Sequence, residues 1–280
     1  MSLNGILVVN KEAGYTSHDV VAKVKKILGE KVGHTGTLDP NATGVLPLLI
    51  GKGTGLAKYL INHDKTYIAT LKLGEKTDTA DGEGNIIKKQ EVKCISKEKV
   101  EEVLQTFIGK QEQLPPMYSA IKVNGKKLYE YARKGETVKI EPRQIEIYNI
   151  ELIEFNDLEI VFEVSCSKGT YIRSLCEDIA IKLGTVGYMK ALNRTVVGEF
   201  NIENSSKVDE IEDSKIITIE EFLKYKEKII LEPKKLELFL NGGRIKVQLA
   251  DEVYRVYNVD NNFIGSGVVE NGLLKRDIII

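Results

Sequence analysis

The stretch Val32-Gly-His-Thr-Gly-Thr-Leu-Asp-Pro-Asn-Ala-Thr-Gly44 constrains the fold more than any other part of this 280-residue chain. It is dense in Gly, Thr, Asn and Pro, which favour turns over periodic structure, so it reads as a loop. Regular elements flank it on both sides. Upstream, Gly5-Ile-Leu-Val-Val-Asn10 has the length of a strand, and Thr16-Ser-His-Asp19 reads as a capping box. Val20, Val21, Val24, Ile27 and Leu28 then form one apolar helical face that ends at Gly29. Downstream, Val45-Leu-Pro-Leu-Leu-Ile50 predicts a buried strand, with Pro47 implying an edge or a bulge.

Further elements follow. A second helix is expected from about Thr54 to Ile61, then a half-buried strand with Tyr67, Ala69, Leu71 and Leu73 on one face. Asp81-Gly-Glu-Gly84 reads as a turn. Ser96 is placed to cap a helix carrying Val100, Val103, Leu104, Phe107 and Ile108, closed by Gly109. Two strand-like stretches occupy 145–164, the second alternating as Leu158, Ile160, Phe162 and Val164. Ser165-Cys-Ser-Lys-Gly-Thr170 turns into a helix with Ile172, Leu175, Cys176, Ile179, Ala180 and Leu183 inward, ended by Gly184. An acidic stretch, 201–235, contains a possible cap at Thr218. Residues 236–280 read as short strands with Asn-Gly and Gly-Gly turns. About 45 residues is small for an independent core, so this piece should pack on the main body.

Composition excludes some classes. No apolar run approaches the roughly 20 residues of a spanning helix, and the first residues lack the basic-then-apolar pattern of a secretory signal. Cys94, Cys166 and Cys176 are too few and wrongly spaced for a disulfide framework or zinc cluster, which fits a reducing cytoplasm. Net charge is −1, but its distribution is uneven. Residues 110–143 hold eight Lys/Arg against four Glu; residues 146–164 hold six acids and no base. Such segregation can make one basic face on a neutral protein, and a phosphate backbone responds to that local field.

Four places could carry chemistry. Pro40 pushes Asp39 away from helical dihedrals, fixing a carboxylate on a tight loop, although Asp-Pro alone commonly just starts a turn. Arg173 lies in a first helical turn, where the dipole disfavours a cation. That calls for a fixed anion nearby, either a carboxylate or an RNA phosphate. Tyr67, and Tyr171 beside Arg173, could stack on an unpaired base. Pro115 to Arg133 interleaves tyrosines with basic residues, a mix that pairs phosphates and stacks bases. Rival motifs fail: Gly51-Lys-Gly-Thr-Gly55 lacks the Gly-Lys-Ser/Thr ending of a phosphate loop, and His18, His34 and His63 have no metal-ligand spacing.

Gly33–Gly44 also resembles the catalytic motif of TruB-type pseudouridine synthases. Asp64-Lys-Thr-Tyr67, Thr77-Asp-Thr-Ala-Asp-Gly82, Met117-Tyr-Ser-Ala-Ile-Lys122, Leu128-Tyr-Glu-Tyr-Ala-Arg133 and Cys166-Ser-Lys-Gly-Thr-Tyr-Ile-Arg173 resemble that family's blocks in its order. The resemblance implies an α+β fold: a mixed, mainly antiparallel central sheet flanked by helices, with a small β-rich PUA-like C-terminal domain. It implies a catalytic domain over 1–230 with a thumb-like RNA-binding insertion at about 110–140, and an RNA-binding domain over 231–280. The implied reaction is isomerisation of uridine 55 in the T-arm of tRNA, without cofactor, metal or obligate protein partner. Asp39 would be the essential carboxylate and Arg173 its partner, keeping it ionised. Tyr67 would stack on the target base and assist proton removal at carbon 5. His34 would fill the space the extruded uridine leaves, and Tyr171 and Leu192 would line its pocket. Lys11 matches an N-terminal family lysine, but Glu12 follows where the family usually has proline. Lys122, Lys126, Lys127 and Arg133 would bind RNA through the thumb. Asp39 could attack the anomeric carbon, attack the base, or abstract a 2′ proton. A guide-RNA-directed catalytic subunit and a non-catalytic RNA-binding protein are the rival readings; guide-dependent relatives lack the thumb.

Overall fold

A computed structural model describes residues 2–280. The chain opens with β1 (Gly5–Lys11), α1 (Ser17–Leu28), β2 (Val32–His34) and β3 (Thr43–Ile50). A 3₁₀ turn and the short α2 (Ala57–Leu60) lead to β4 (Lys65–Leu73), the hairpin β5 (Glu75–Thr77) and β6 (Ile86–Lys89), and α3 (Lys97–Gln105). Next come β7 (Gly109–Gln113), a small hairpin of β8 (Lys122–Val123) and β9 (Lys126–Lys127), and α4 (Leu128–Ala132). The long β10 (Arg143–Asn156), β11 (Glu159–Cys166), α5 (Ile172–Lys182) and β12 (Gly187–Val197) complete the centre. β13 (Phe200–Asn201), β14 (Ile217–Thr218) and α6 (Ile219–Phe222) precede β15 (Lys228–Leu231), α7 (Pro233–Leu240) and β16 to β19 (Ile245–Lys246, Val253–Asn258, Phe263–Glu270, Leu273–Ile279).

The main sheet has ten strands in the order β14-β1-β3-β12-β4-β11-β10-β7, with β2 paired to β3 and β13 to β12. All its pairs are antiparallel except β12 with β3, which touch only through Asn193–Thr43 and Arg194–Gly44. That short parallel seam joins two halves of the sheet. Each half buries its own apolar face. α3 and α5 cover β4, β10 and β11 through Val100, Leu104, Leu175 and Ile179 against Leu71, Ile150 and Phe162. α1 covers β1 and β3 through Val20 and Val24 against Leu7, Val9, Leu46 and Leu48. On the opposite face, Ile6, Val45 and Leu49 meet Leu56, Leu60 and Ile219.

The second sheet, β15-β17-β18-β19-β16, packs α7 over its own core of Leu231, Phe239, Val256 and Leu274. Its Ile278, Val253 and Phe263 join the core of the main body, and Asp277 is bonded there by Lys58 and by Tyr59 Oη at 2.6 Å. The C-terminal piece therefore packs on the body, as its small size demanded.

Several local expectations hold in detail. The Thr16 capping box is complete, Gly29 closes α1 at φ 68°, and β4 alternates with Tyr67, Ala69, Leu71 and Leu73 buried. Others need correction. Pro47 lies on a strand with neighbours on both sides and without a bulge in its pairing to β1. Pairing with β12 stops at Gly44 and pairing with β2 begins at Leu48, so the missing N–H falls in the gap between them. α3 stops at Gln105 rather than Gly109, leaving Ile108 exposed; Ile27 on α1 and Leu158 in the β10–β11 turn are exposed too. Residues 236–240, expected within the strands, instead belong to the helix α7, started by Pro233. The aperiodic 110–143 hides a hairpin: Asn124 and Gly125 both have positive φ (51° and 80°), as a type I′ turn requires.

Candidate active site

The loop between β2 and β3 is held from many sides. Because the capping box fixes the start of α1, Ser17 Oγ reaches the loop, accepting from Leu38 N at 2.9 Å and donating to Leu38 O at 3.2 Å. Lys11, buried at the end of β1, donates from Nζ to Pro40 O at 2.8 Å and to Glu12 O at 3.0 Å. Burial lowers its pKa to about 8, against the pull of Asp39 and Glu83. Arg194 of β12 donates from Nη2 to Gly36 O at 3.1 Å and from Nε to Val45 O at 2.8 Å. Glu83 accepts from Asn41 N at 3.2 Å. Gly44 closes the loop at φ 105°, where a Cβ would sit 2.2 Å from Arg194 O. Only glycine allows β3 to approach β12 this closely.

Asp39 is thereby fixed, yet its side chain keeps 36% of its surface open. Arg173, the second residue of α5, is buried and grips it from two atoms: Nε to Oδ2 at 3.2 Å and Nη2 to Oδ1 at 3.3 Å. The same guanidinium donates to Asp81 Oδ2 at 3.3 Å, Thr79 O at 3.3 Å and Tyr118 O at 2.9 Å. The anion demanded by a cation at this helix start is thus a pair of carboxylates. Burial pushes the Asp39 carboxyl above its ordinary value; Arg173 and Lys11 oppose this and Asp81 adds to it. Arg173 favours the charged form of Asp39, but desolvation by burial is the larger effect.

Asp39 opens into a cavity of about 440 Å³, also lined by Tyr67, Tyr118, Tyr129, Tyr171, Arg173, Leu192 and Arg194. Tyr67 and Arg194 are direct cross-strand partners, and Leu192 faces Ala69 two residues along the same face. A bulge at Thr195 follows at once, re-aiming the strand beside the site. The Tyr67 phenol is buried, which raises its pKa, with Arg194 opposing. Buried Ser119 also lines the cavity, and its hydroxyl has no partner among the described residues.

Other expected residues lie further out. His34 is outside the cavity lining, on β2, its Nδ1 accepting from Gly36 N at 3.4 Å and its pKa lowered by burial. Lys122, Lys126 and Arg133 are exposed and Lys127 half-buried. Lys127 donates to Tyr129 Oη at 3.3 Å, Arg133 lies 5.5 Å from the Tyr129 ring and Lys126 lies 5.9 Å from that of Tyr131. Tyr129, which lines the cavity, thus links Lys127 and Arg133 to it, while Lys126 meets Tyr131 and Lys122 stands apart. Sequence reasoning missed Ser17, Asp81 and Arg194 as site residues. Asp81 lay within a quoted block, but its partner is 92 positions away. Among the described residues, no cluster of His, Cys, Asp and Glu could hold a metal ion, and no helix is long and apolar enough to cross a membrane.

Residues 24–172 match the TruB family pseudouridylate synthase N-terminal domain, and 173–233 the tRNA pseudouridylate synthase B C-terminal domain. A tRNA pseudouridine synthase B of Caldanaerobacter subterraneus subsp. tengcongensis is 44% identical over 276 residues, covering 96% of each chain. One of Clostridium novyi is 44% identical over 289 residues, covering 99% of this chain and 100% of that one. A crystal structure of a Cbf5-Nop10-Gar1 complex contains a chain similar at TM-score 0.67 and 26% identity, covering 95% of this chain and 78% of that chain. An H/ACA RNP bound to a substrate RNA shares the fold at TM-score 0.69 and 22% identity, over 99% of this chain and 85% of that chain. With one family model spanning over half its residues and near-full-length relatives at this identity, the chain belongs to the TruB family of pseudouridylate synthases.

Proposed function

We propose that the protein converts uridine 55 in the T-arm of tRNA into pseudouridine, with Asp39 as the essential carboxylate. One observation carries this reading: Asp39 is clamped by buried Arg173 yet opens into a cavity that faces Tyr67. About 440 Å³ falls within the range of small-ligand pockets and suits one extruded base. The reaction breaks the C1′–N1 bond, forms C1′–C5, removes the C5 proton and protonates N1. Nothing is added or lost, so it needs a positioned carboxylate and a proton acceptor rather than a co-substrate. Arg173 holds the carboxylate, Tyr67 stacks on the base and takes part in proton transfer, and Tyr171 and Leu192 bound the pocket. His34 acts outside the cavity, on the RNA that the uridine leaves. Residues 1–230 form the catalytic unit and 231–280 an RNA-binding unit, with 110–140 as the grip on the T-arm through Lys122, Lys126, Lys127 and Arg133.

The near-full-length relatives named tRNA pseudouridine synthase B support a tRNA substrate. The lower-identity likeness to a chain in a Cbf5-containing complex supports a guide-directed role less well. Purified protein incubated with unmodified tRNA, with no other component, tests both. Pseudouridine should appear at position 55, and Asp39→Ala should abolish it while tRNA affinity stays within a few fold. Product at another position, a need for added RNA or protein, or an active Asp39→Ala variant refutes the assignment.

A further inference from the structure

Arg194 is fully buried, with 1% of its surface exposed, and makes no ion pair with a carboxylate among the described residues. Burying a guanidinium without a counter-anion is costly, so its neighbours must supply charge or dipole. Two do so as carbonyls, Gly36 O and Val45 O. Beyond these carbonyls, the neighbour that bears on the guanidinium is Tyr67. The two residues oppose one another in the β4–β12 register, project on the same face and line the same cavity. Tyr67 is also the neighbour that most favours the charged state of Arg194. A buried cation whose acidic neighbour is a phenol stabilises that phenol's deprotonated form, against the desolvation that opposes it.

We propose that Arg194 is a positioning residue for the isomerisation: it steadies the Tyr67 phenolate as that forms from the buried phenol to accept the C5 proton, and anchors this side of the pocket to the Asp39 loop through Gly36. This rests on the reaction assigned above. In the step, the C5–H bond breaks toward the phenolate oxygen and its electron pair restores the C5=C6 double bond. The proton then leaves through solvent, and N1 takes one up from solvent. Other groups bear on the pair. Asp39 and Cys166 also face Tyr67 and disfavour its negative charge, while Lys65 lies near Arg194 and disfavours a second positive charge. Of these groups, Arg194 is the one that both favours the charged phenol and anchors the loop.

The test is single-turnover pseudouridine formation on tRNA carrying 5-deuterouridine or ordinary uridine, with tRNA affinity measured alongside. Arg194→Met should slow formation on the order of 100-fold, in line with loss of an acid–base group. It should leave affinity within threefold and enlarge the isotope effect, as C5 proton loss becomes limiting. Arg194→Lys, which keeps the charge and fills most of the volume, should lose about tenfold and serves if the methionine variant does not fold. Placing 3,5-difluorotyrosine, a more acidic phenol, at position 67 should recover at least half of either loss on a logarithmic scale. If the isotope effect stays at the wild-type value, or the acidic phenol recovers nothing, Arg194 does not act through Tyr67 and the proposal is overturned while the reaction assignment stands. If wild-type protein makes no pseudouridine, both fall together.

Discussion

Asp81→Asn probes how one arginine serves two carboxylates. The substitution keeps shape and an acceptor oxygen for Arg173 Nη1, now 3.3 Å from Asp81 Oδ2, but removes the charge. At that distance, with an effective dielectric constant near 20, the Coulomb attraction is about 5 kcal/mol. Relief of the buried Asp81 carboxylate's desolvation, several kcal/mol in effect, returns most of it. The net stability loss should be roughly 1–2 kcal/mol, a few degrees in Tm. The functional effect should be larger. Freed from Asp81, Arg173 relaxes toward Asp39, and a shift on the order of 1 Å at a reacting group costs about 100-fold in rate. The pH dependence gives an independent sign. Asp81 raises the Asp39 pKa and Arg173 lowers it, so removing the first and concentrating the second moves the Asp39 pKa down. The acid limb of the single-turnover pH–rate profile, which reports Asp39 ionisation, should therefore move to lower pH. Rates measured from pH 4 to 9 on wild type and variant decide it. An acid limb that is unmoved or displaced upward refutes the shared-arginine reasoning, whatever the drop in rate.

Two further outcomes are expected. Replacing Lys122, Lys126, Lys127 and Arg133 together by glutamine should weaken tRNA binding and reduce the slope of log K against log salt by about three, near 0.7–0.9 per phosphate contact; an unchanged slope removes these residues from the interface. Lys11 is depressed to about 8 in the folded protein against an ordinary 10.5, so between those values the unfolded chain holds the extra proton and stability rises with pH. Denaturant titrations should show wild type gaining about 1 kcal/mol per pH unit relative to Lys11→Met from pH 8 to 10, and parallel pH curves for the two proteins would contradict it.

Much of the fold was legible because its signals are local. The Thr16 box, the Gly29 stop and the alternation of β4 each occupy fewer than a dozen residues, and each reports one element's own hydrogen bonds and burial. Where those signals failed, a neighbour had overridden them. Pro47 is tolerated inside a sheet because two partner strands end on either side of it. Ile27 and Ile108 fit an apolar period but face no layer. The β8–β9 hairpin was missed although Asn124-Gly125 announces it, because its strands are two residues long and carry lysines rather than alternating apolar side chains.

The candidate site divides along the same line. Asp39 and Arg173 could be picked out singly, since a Pro-fixed carboxylate and a cation at a helix start are each locally unusual. Which anion answers Arg173, and what holds the Asp39 loop, depended on tertiary contacts. Asp81 meets Arg173 across 92 positions and Arg194 meets Gly36 across 158. Sequence periodicity records which face of an element is apolar and carries no information about which distant element packs there. Here that choice was made by the sheet order, which puts β12 between β3 and β4 and so sets Arg194 against both the loop and Tyr67.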